Sequence, residues 1–124
     1  MKKREADFGI MFRHWIKAHP MHTAAIELKQ TTKEYIAFNC VDEDQLNYLS
    51  ALSGDRGVLA RTTGTKGMPD YIYGRNMPAY VFIKYPKGFV GITIGTFLLE
   101  KQRSKRQSLT YARAKDIAVI DVPR

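Results

Sequence analysis

A core strand is predicted by the sequence Thr23-Ala24-Ala25-Ile26-Glu27-Leu28-Lys29-Gln30. Successive side chains of a strand point to opposite faces of a sheet. Ile26 and Leu28 therefore share an apolar face, while Glu27 and Lys29 share the other. The small alanines of the same stretch leave room for a ligand beside this acid and this amine.

Glu27 and Lys29 have two interpretations. A carboxylate that can hold a divalent cation, next to an amine that can orient water and offset phosphate charge, suits metal-assisted cleavage of a phosphodiester. The ordinary interpretation is a solvent-facing ion pair on a half-exposed strand. A Glu-x-Lys triplet is common enough that the rest of the chain has to decide between them.

The chain has 124 residues, of which 44% are hydrophobic. This length allows one domain with a packed core and is too short for two ordinary domains. No apolar run is long enough to span a membrane, the N-terminal residues do not resemble a signal peptide, and the single cysteine, Cys40, excludes an intrachain disulfide. We expect one domain, residues 1–124, in a cytoplasmic protein of cellular or phage origin with no membrane partner.

Charge is the strongest compositional signal. Twenty Lys and Arg residues oppose twelve Asp and Glu residues, which gives a formal charge of +8. A surplus of this size in a small domain favours a polyanionic partner, nucleic acid before an anionic membrane. The densest basic stretch contains Lys101, Arg103, Lys105 and Arg106. It is expected either to bind DNA phosphates or to be a solvated tail.

The N-terminal segment is expected to be an amphipathic helix over residues 5–18, because Phe8, Phe12 and Trp15 recur at helical spacing. Glu5 falls on the same apolar stripe. A carboxylate that leans inwards is costly unless a cation meets it. Glu5 is therefore part of a charged site, or it is an ordinary acid that favours a helix N-terminus.

A second helix is predicted after a short strand over residues 35–38. Asp42 is a good N-cap, Gln45 occupies the third helical position of a capping box, and Gly54 is a natural stop. Gln45 therefore has a structural explanation besides any role in a site.

The second half of the chain is expected to be mainly β-structure. Strands are predicted at residues 58–61, 70–73, 79–85, 89–94 and 117–120, with 70–73 paired to 79–85, and short helices at about residue 96 and at 108–115. The segment 62–68 is predicted to be a loop in which Lys66 contacts DNA. This order of elements predicts an α/β fold with a mixed central sheet flanked by helices.

Four tyrosines fall on the predicted strands. They are Tyr71, Tyr73, Tyr80 and Tyr85. We expect them to pack within the sheet, with base stacking as the alternative.

Three features in this order resemble the PD-(D/E)XK nuclease superfamily, especially its Holliday-junction-resolvase branch. They are an early helix with Glu5, a strand that carries Glu27 and Lys29, and a helix with Gln45 in its first turn. Residues 25–31 are similar to the catalytic strand of that family and its polar exit. The resemblance covers about residues 5–100 and implies a restriction-endonuclease-like core.

One part of the family pattern is displaced. Family members usually carry an aspartate on a strand just before the Glu-x-Lys triplet, whereas residues 17–25 contain no acid. The Pro-Asp pair of this chain is Pro69-Asp70, far downstream. Asp70 is therefore expected either to return to the site as a metal ligand or to be a strand-entry residue.

The resemblance implies a Mg²⁺-dependent endonuclease, with Mn²⁺ as an alternative ion. Glu27, Asp70 and the backbone carbonyl of Leu28 would hold the ion, and Lys29 would position or deprotonate the attacking water. Glu5 would join a second ion or hold Lys29.

Gln45 would contact water or phosphate in that site, unless it acts only in the capping box. Three functions follow from these residues. One is a structure-selective DNA endonuclease, a Holliday junction resolvase, acting as a homodimer because two symmetrical cuts need two active sites. Another is a non-catalytic nucleic-acid-binding module with a degenerate nuclease fold. The third is a repair or restriction-like nuclease without junction preference.

Overall fold

The computed structural model describes the backbone of residues 3–65 and 68–124 and the side chains of residues 8–60 and 71–124. Within these residues the fold is mixed α/β, with four α-helices and a mixed four-stranded sheet, which confirms the predicted class. The elements in chain order are α1 (Lys3–Ala18), β1 (Ala25–Gln30), β2 (Tyr35–Ala37), a 3-10 turn (Phe38–Cys40), α2 (Glu43–Ser53), β3 (Val58–Thr65), β4 (Met68–Gly74), β5 (Ala79–Tyr85), β6 (Gly88–Thr93), α3 (Ile94–Arg103), β7 (Ser108–Thr110), α4 (Tyr111–Ile117) and β8 (Ile120–Pro123).

The main sheet has the order β1-β5-β6-β8. β1 is parallel to β5, and the other two pairings are antiparallel. β5 begins with five consecutive buried residues, Ala79 to Ile83. Such a continuous apolar run is typical of a strand that is covered on both faces. β5 is therefore the strand around which both halves of the core are built.

One face of the sheet packs on α1 through aromatic side chains. Phe8 and Phe12 are buried, as the helical spacing predicted, and they contact Phe82 and Phe89 of the sheet. The ring centroids of Phe12 and Phe82 are 4.8 Å apart in an edge-to-face arrangement. Such a pair contributes about 0.5–1.5 kcal/mol beyond the area it buries.

The opposite face is covered by α2, α3 and α4. Leu46 and Leu49 of α2 and Phe97 of α3 are buried there against Val81 and Ile92. Each of these helices begins at a capping side chain: Asp42, Thr93 and Thr110 accept hydrogen bonds from the first helical turn. The capping box predicted for Asp42 and Gln45 is confirmed.

Three predictions about the strands were wrong. Residues 70–73 do not pair with residues 79–85, because β4 pairs with β3 in a separate two-stranded sheet. β3 extends to Thr65, so most of the predicted loop 62–68 is strand. β1 was expected at the core of the sheet, whereas it is an edge strand of the described sheet and is half-buried along its length.

The bounds of the last elements of the chain also differ from the predicted ones. Residues 108–110 form β7 beside β2, so the final helix is α4 rather than 108–115, and the closing strand β8 begins at Ile120. Tyr80 and Tyr85 pack inside the sheet as predicted, but Tyr71 and Tyr73 are exposed. Among the described residues, no helix is both long and apolar enough to cross a membrane.

Candidate active site

The two faces of β1 differ as the alternation of its residues predicted. Ile26 and Leu28 pack on the aromatic core beneath α1. On the other face, the Lys29 Nζ lies 3.4 Å from the Glu27 Oε2. The side chains of Lys29 and Glu27 are 16% and 27% exposed, so both are partly shielded and both still reach solvent. Partial burial strengthens this pair relative to an ordinary surface ion pair.

Gln45 connects α2 to this ion pair. Its Nε2 donates a 2.9 Å hydrogen bond to the Glu27 Oε2, and its Oε1 accepts a 3.1 Å hydrogen bond from the Asp42 backbone N–H. The capping box therefore fixes the amide in the orientation that turns its donor towards β1. The two roles proposed for Gln45 are compatible, because each uses a different atom of one amide.

A cleft of about 380 Å³ opens between β1 and the first turns of α2. It is lined by Ala25, Ile26, Glu27, Asp44, Gln45, Tyr48 and Leu49. Two carboxylates and an amide thus share a concave surface with apolar walls. This combination, a few convergent polar groups in an apolar cleft, is typical of ligand sites.

One oxygen of Glu27 receives both protein donors. Lys29 and Gln45 contact Oε2, and no protein donor among the described side chains reaches Oε1. Fixing one oxygen by two donors orients the whole carboxylate. Oε1 is therefore available to an external ligand of positive charge or to water.

The open edge of β1 presents a backbone carbonyl. Ala25 donates its N–H to Pro78, and Thr31 donates to Lys84, so alternate residues of β1 direct their peptide groups to β5. Leu28 lies out of phase with them, and its carbonyl points to the open edge, where a strand presents unpaired backbone groups. The predicted ligand role of this carbonyl is compatible with that direction.

Cys40 is affected by the same charges. Burial raises the pKa of its thiol, Lys29 opposes this effect by lowering the pKa, and Glu27 adds to the rise. The net pKa lies above the ordinary value of a thiol, so Cys40 is protonated at neutral pH and is a poor nucleophile.

The donor set fits a hard divalent cation. Among the described residues, no three His, Cys, Asp or Glu side chains lie close enough together to hold a metal by themselves. Mg²⁺ does not need such a group, because it keeps several waters and binds through one or two carboxylates together with substrate phosphate. Glu27 and Asp44, which line one cleft, can supply those carboxylates.

Asp44 is the residue that sequence reasoning did not select. The signal for it was its position next to Gln45 in the first turn of α2, since neighbours at the start of a helix reach the same cleft. The sequence alone did not show that this turn faces Glu27, because residues 27 and 44 are joined only through tertiary packing.

For Asp70 and Glu5, the structure describes only the elements that carry them. The backbone of Asp70 is in β4, opposite Thr62 of β3, whereas the strand beside β1 is β5. α1, which carries Glu5, packs on the sheet face opposite to Glu27. The side chains of Asp70 and Glu5 lie outside the described set, as does the whole of Lys66, and the roles of these residues stay predictions.

The basic stretch lies at the end of α3 and in the connection to β7. Lys101 and Arg103 are in the last turns of α3, and Lys105 and Arg106 follow in the connection to β7. Arg103, Lys105 and Arg106 are exposed, whereas Lys101 is half-buried. Its DNA-binding role stays a prediction.

Comparison of the chain with protein-family models, with curated proteins and with solved structures finds no match. The features of the chain that indicate a function are therefore the cleft between β1 and α2 and the side chains of Glu27, Lys29 and Gln45.

Proposed function

We propose that this protein is a metal-dependent DNA endonuclease with a restriction-endonuclease-like core, whose substrate is a four-way junction. The observation that carries the proposal is the convergence of three side chains from two elements: Glu27 and Gln45 line one cleft and are hydrogen-bonded to each other, and Lys29 contacts the same Glu27 oxygen. A solvent-facing ion pair, the ordinary interpretation of the Glu-x-Lys triplet, does not account for the third partner, which holds the carboxylate across a gap of 18 residues in sequence.

The residues of the cleft have distinct tasks in this mechanism. Glu27, with Asp44 or Asp70 and the Leu28 carbonyl, would hold a Mg²⁺ or Mn²⁺ ion, whose chemistry when bound is Lewis-acid activation of phosphodiester hydrolysis. Gln45 keeps the Glu27 carboxylate in one orientation. Preorganisation of this kind lowers the barrier because the site does not have to rearrange as charge develops.

Lys29 supplies the positive charge beside Glu27. As an ammonium it would orient the attacking water and offset the negative charge that grows on the phosphate, whereas only the neutral amine could accept a proton from that water. Its contact with Glu27 keeps the amine next to a carboxylate that lines the cleft.

Junction preference and a homodimer belong to the same proposal. Resolution of a four-way junction needs two symmetrical cuts, and a two-fold dimer supplies two equivalent sites. The formal charge of +8 supports a DNA partner, because phosphate neutralisation provides most of the affinity of such proteins.

A second candidate is a nucleic-acid-binding module that has a nuclease-like fold and lacks catalysis. It is favoured by one observation, the absence of a third acidic side chain beside Glu27 among the described residues. The two candidates differ in what they do to bound DNA, so one assay separates them.

The experiment is cleavage of a 5′-labelled four-way junction and of a linear duplex of matched arm sequence, each with Mg²⁺ and with EDTA. We expect paired cuts in the junction with Mg²⁺ only. Glu27→Gln and Lys29→Ala should each reduce cleavage at least about a hundredfold while junction affinity stays within severalfold, because affinity comes from phosphate contacts spread over the surface.

Binding without cleavage by the wild-type protein, in Mg²⁺ and in Mn²⁺, would establish the binding module instead. Equal cleavage of junction and duplex would leave the nuclease and remove the junction preference.

A further inference from the structure

The hairpin formed by β3 and β4 exposes large apolar side chains. Leu59, Tyr71, Ile72 and Tyr73 are each between 56% and 64% exposed. The hairpin is a two-stranded sheet of its own, and such a sheet has no second layer that could cover both of its faces. Two tyrosines and two aliphatic residues on one exposed hairpin form a larger apolar surface than singly scattered residues would.

The strand register places three of these residues on one face. Leu59 is opposite Tyr73, and the backbone of Arg61 is opposite Tyr71. Directly opposed residues point to the same face of an antiparallel pair, and residues two apart on one strand share that face. Tyr71, Tyr73 and Leu59 therefore make a continuous strip along the hairpin, which is called the tyrosine strip below.

The base of the hairpin holds this strip in position. The Tyr73 hydroxyl donates a 2.6 Å hydrogen bond to the Arg56 carbonyl. Gly57, with φ +76°, brings the chain so close to Gly74 that a Cβ atom would clash with the Gly74 carbonyl oxygen. Tyr73 is thus anchored through its hydroxyl group, and its ring remains exposed.

Positive charge flanks the same strip. Arg56 and Arg75 lie just outside the two strand ends at the base, and both are exposed. Among the described side chains, no carboxylate forms an ion pair with either of them. This combination of exposed rings and adjacent cations binds single-stranded nucleic acid: the cations contact the backbone phosphates, and the bases stack on the exposed aromatic rings.

We propose that the tyrosine strip binds unpaired DNA bases, which stack on Tyr71 and Tyr73 while Arg56 and Arg75 contact the flanking phosphates. Bases have to be unstacked from a duplex to reach such a surface, so the ligand is single-stranded DNA or the open centre of a branched substrate. The proposed role of the strip rests on the proposed function only in taking DNA as the nucleic acid. The strip itself lies on a different element from the cleft.

A second copy of the chain is a weaker occupant. Pairing two copies through this face would bring together two chains that each carry a formal charge of +8. Like charges in proximity are unfavourable, whereas a polyanion is attracted to the same charges.

The test is fluorescence anisotropy of a labelled 20-nucleotide oligothymidine and of a blunt duplex of the same length, both in EDTA so that no cleavage occurs. Tyr71→Ala should weaken binding to the single strand at least about fivefold, as loss of one stacked base predicts, and should change duplex binding less than about twofold. Tyr71→Phe, which keeps the ring, should bind as the wild type does.

Two further variants keep this test decisive. Tyr71→Ile preserves strand propensity and apolar surface, so a loss of binding in it comes from the ring and not from an unfolded hairpin. Tyr35→Ala removes a tyrosine of β2 that is also exposed and should leave single-strand affinity unchanged. Wild-type affinity in Tyr71→Ala or Tyr71→Ile would overturn the proposal.

Sedimentation of the same variants measures their oligomeric state and so tests whether a second copy of the chain occupies the strip. Loss of a dimer in Tyr71→Ala with unchanged affinity for the oligothymidine would assign the strip to self-association and overturn the DNA role. Failure of the nuclease proposal is seen separately, in the Mg²⁺ cleavage assay: a wild-type protein that never cuts DNA but shows the expected Tyr71 pattern keeps the tyrosine strip and loses the enzyme.

Discussion

Gln45 connects the start of α2 to the candidate active site. Its side-chain oxygen accepts a hydrogen bond from the Asp42 backbone N–H, and its side-chain nitrogen donates one to Glu27. A residue that only capped the helix could be exchanged for any other good acceptor at this position. A residue that also holds Glu27 must keep a donor on the far side of the amide, and this difference can be measured.

Gln45→Glu separates the two roles. The new carboxylate can still accept the Asp42 N–H, and an acid in the first turn suits the helix dipole, so we expect a melting temperature within a few degrees of the wild type. The donor to Glu27 is lost and a second negative charge is placed beside it. Cleavage at saturating DNA should fall about tenfold or more, and the pH–rate profile should shift, since a like charge raises the pKa of a neighbouring carboxyl.

Gln45→Ala is the control, because it loses the cap and the donor together. Wild-type cleavage and an unchanged pH profile in Gln45→Glu would restrict Gln45 to the capping box.

Asp44 and Asp70 are the two candidates for the second carboxylate of the proposed metal site. Asp44 lines the cleft with Glu27, whereas the backbone of Asp70 belongs to the β3–β4 hairpin. Asn has nearly the shape of Asp without its charge. We expect Asp44→Asn to raise the Mg²⁺ concentration needed for half-maximal cleavage about tenfold or more, and Asp70→Asn to change it little.

Mg²⁺ titrations of cleavage on both variants, with melting curves in EDTA, measure this difference. The reverse pattern, in which Asp70→Asn loses Mg²⁺ dependence and Asp44→Asn does not, would make Asp70 the ligand that the Pro-Asp pair suggested.

At the scale of elements, local signals in the sequence were dependable and long-range pairing was not. The helix over Phe8, Phe12 and Trp15 and the capping box of α2 depend on residues within a few positions of one another, and both are present. The position of β1 at a sheet edge depends on which distant strand pairs with it. Alternation of side chains within a strand says nothing about that choice.

The candidate site shows the same division. The shared face of Glu27 and Lys29 follows from a two-residue spacing and was predicted. The hydrogen bond from Gln45 to Glu27 and the entry of Asp44 into the cleft depend on how α2 packs on the sheet. The exposure of Tyr71 and Tyr73 depends on β4 pairing with β3 instead of β5. None of these three features is encoded in a short window of residues.

The contact between α3 and α4 predicts a pH dependence of stability. Arg113 forms a two-pronged ion pair with Glu100, at 2.8 Å and 3.1 Å. Hydrogen bonding to Arg113 is the main cause that lowers the pKa of Glu100 below its usual 4.5. A carboxyl whose pKa is lower in the folded state stabilises the fold above the unfolded pKa, and that contribution is lost as the pH falls through the folded pKa.

Urea unfolding of wild type and Glu100→Gln between pH 7 and pH 3 tests this contact. We expect the variant to have the lower midpoint at neutral pH and the difference to shrink below about pH 4.5. Glu34→Gln, which alters an exposed glutamate outside the helices and strands, should show no such trend. A pH-independent difference in Glu100→Gln would mean that the pair does not set the stability of this contact.

The basic stretch after α3 carries a prediction about DNA affinity. Arg103, Lys105 and Arg106 are exposed, and Arg113, by contrast, is occupied by Glu100. Each phosphate contact that is lost should reduce the log–log salt slope of binding by about one. Replacing all three exposed residues with Gln should therefore reduce the slope by roughly two to three for every DNA shape, with cleavage at saturating DNA retained.

The control for this measurement is Arg13→Gln with Lys17→Gln on α1, where both residues are exposed. If the triple variant keeps the wild-type salt slope, the stretch is a solvated tail and the DNA surface lies on another face.

At the scale of the whole molecule, each chain supplies one copy of the cleft between β1 and α2, and the proposed four-way-junction substrate needs two cuts. Only assembly of two chains on one junction brings two such clefts to opposite strands. The net charge of +8 acts against self-association of free chains and is offset when DNA phosphates are bound. We therefore expect the dimer to be more stable on the junction than in free solution.

Mixed dimers test this assembly with a supercoiled plasmid that extrudes a cruciform, because paired cuts within one complex give linear DNA and single cuts give nicked circles. Wild-type protein should give mainly linear product. An excess of Glu27→Gln over wild type should convert the product to nicked circles, since most active chains then share a junction with an inactive partner whose binding is intact. Linear product that persists at every ratio, with its rate falling only by dilution of the wild type, would mean that each chain cuts independently and would remove the dimer from the mechanism.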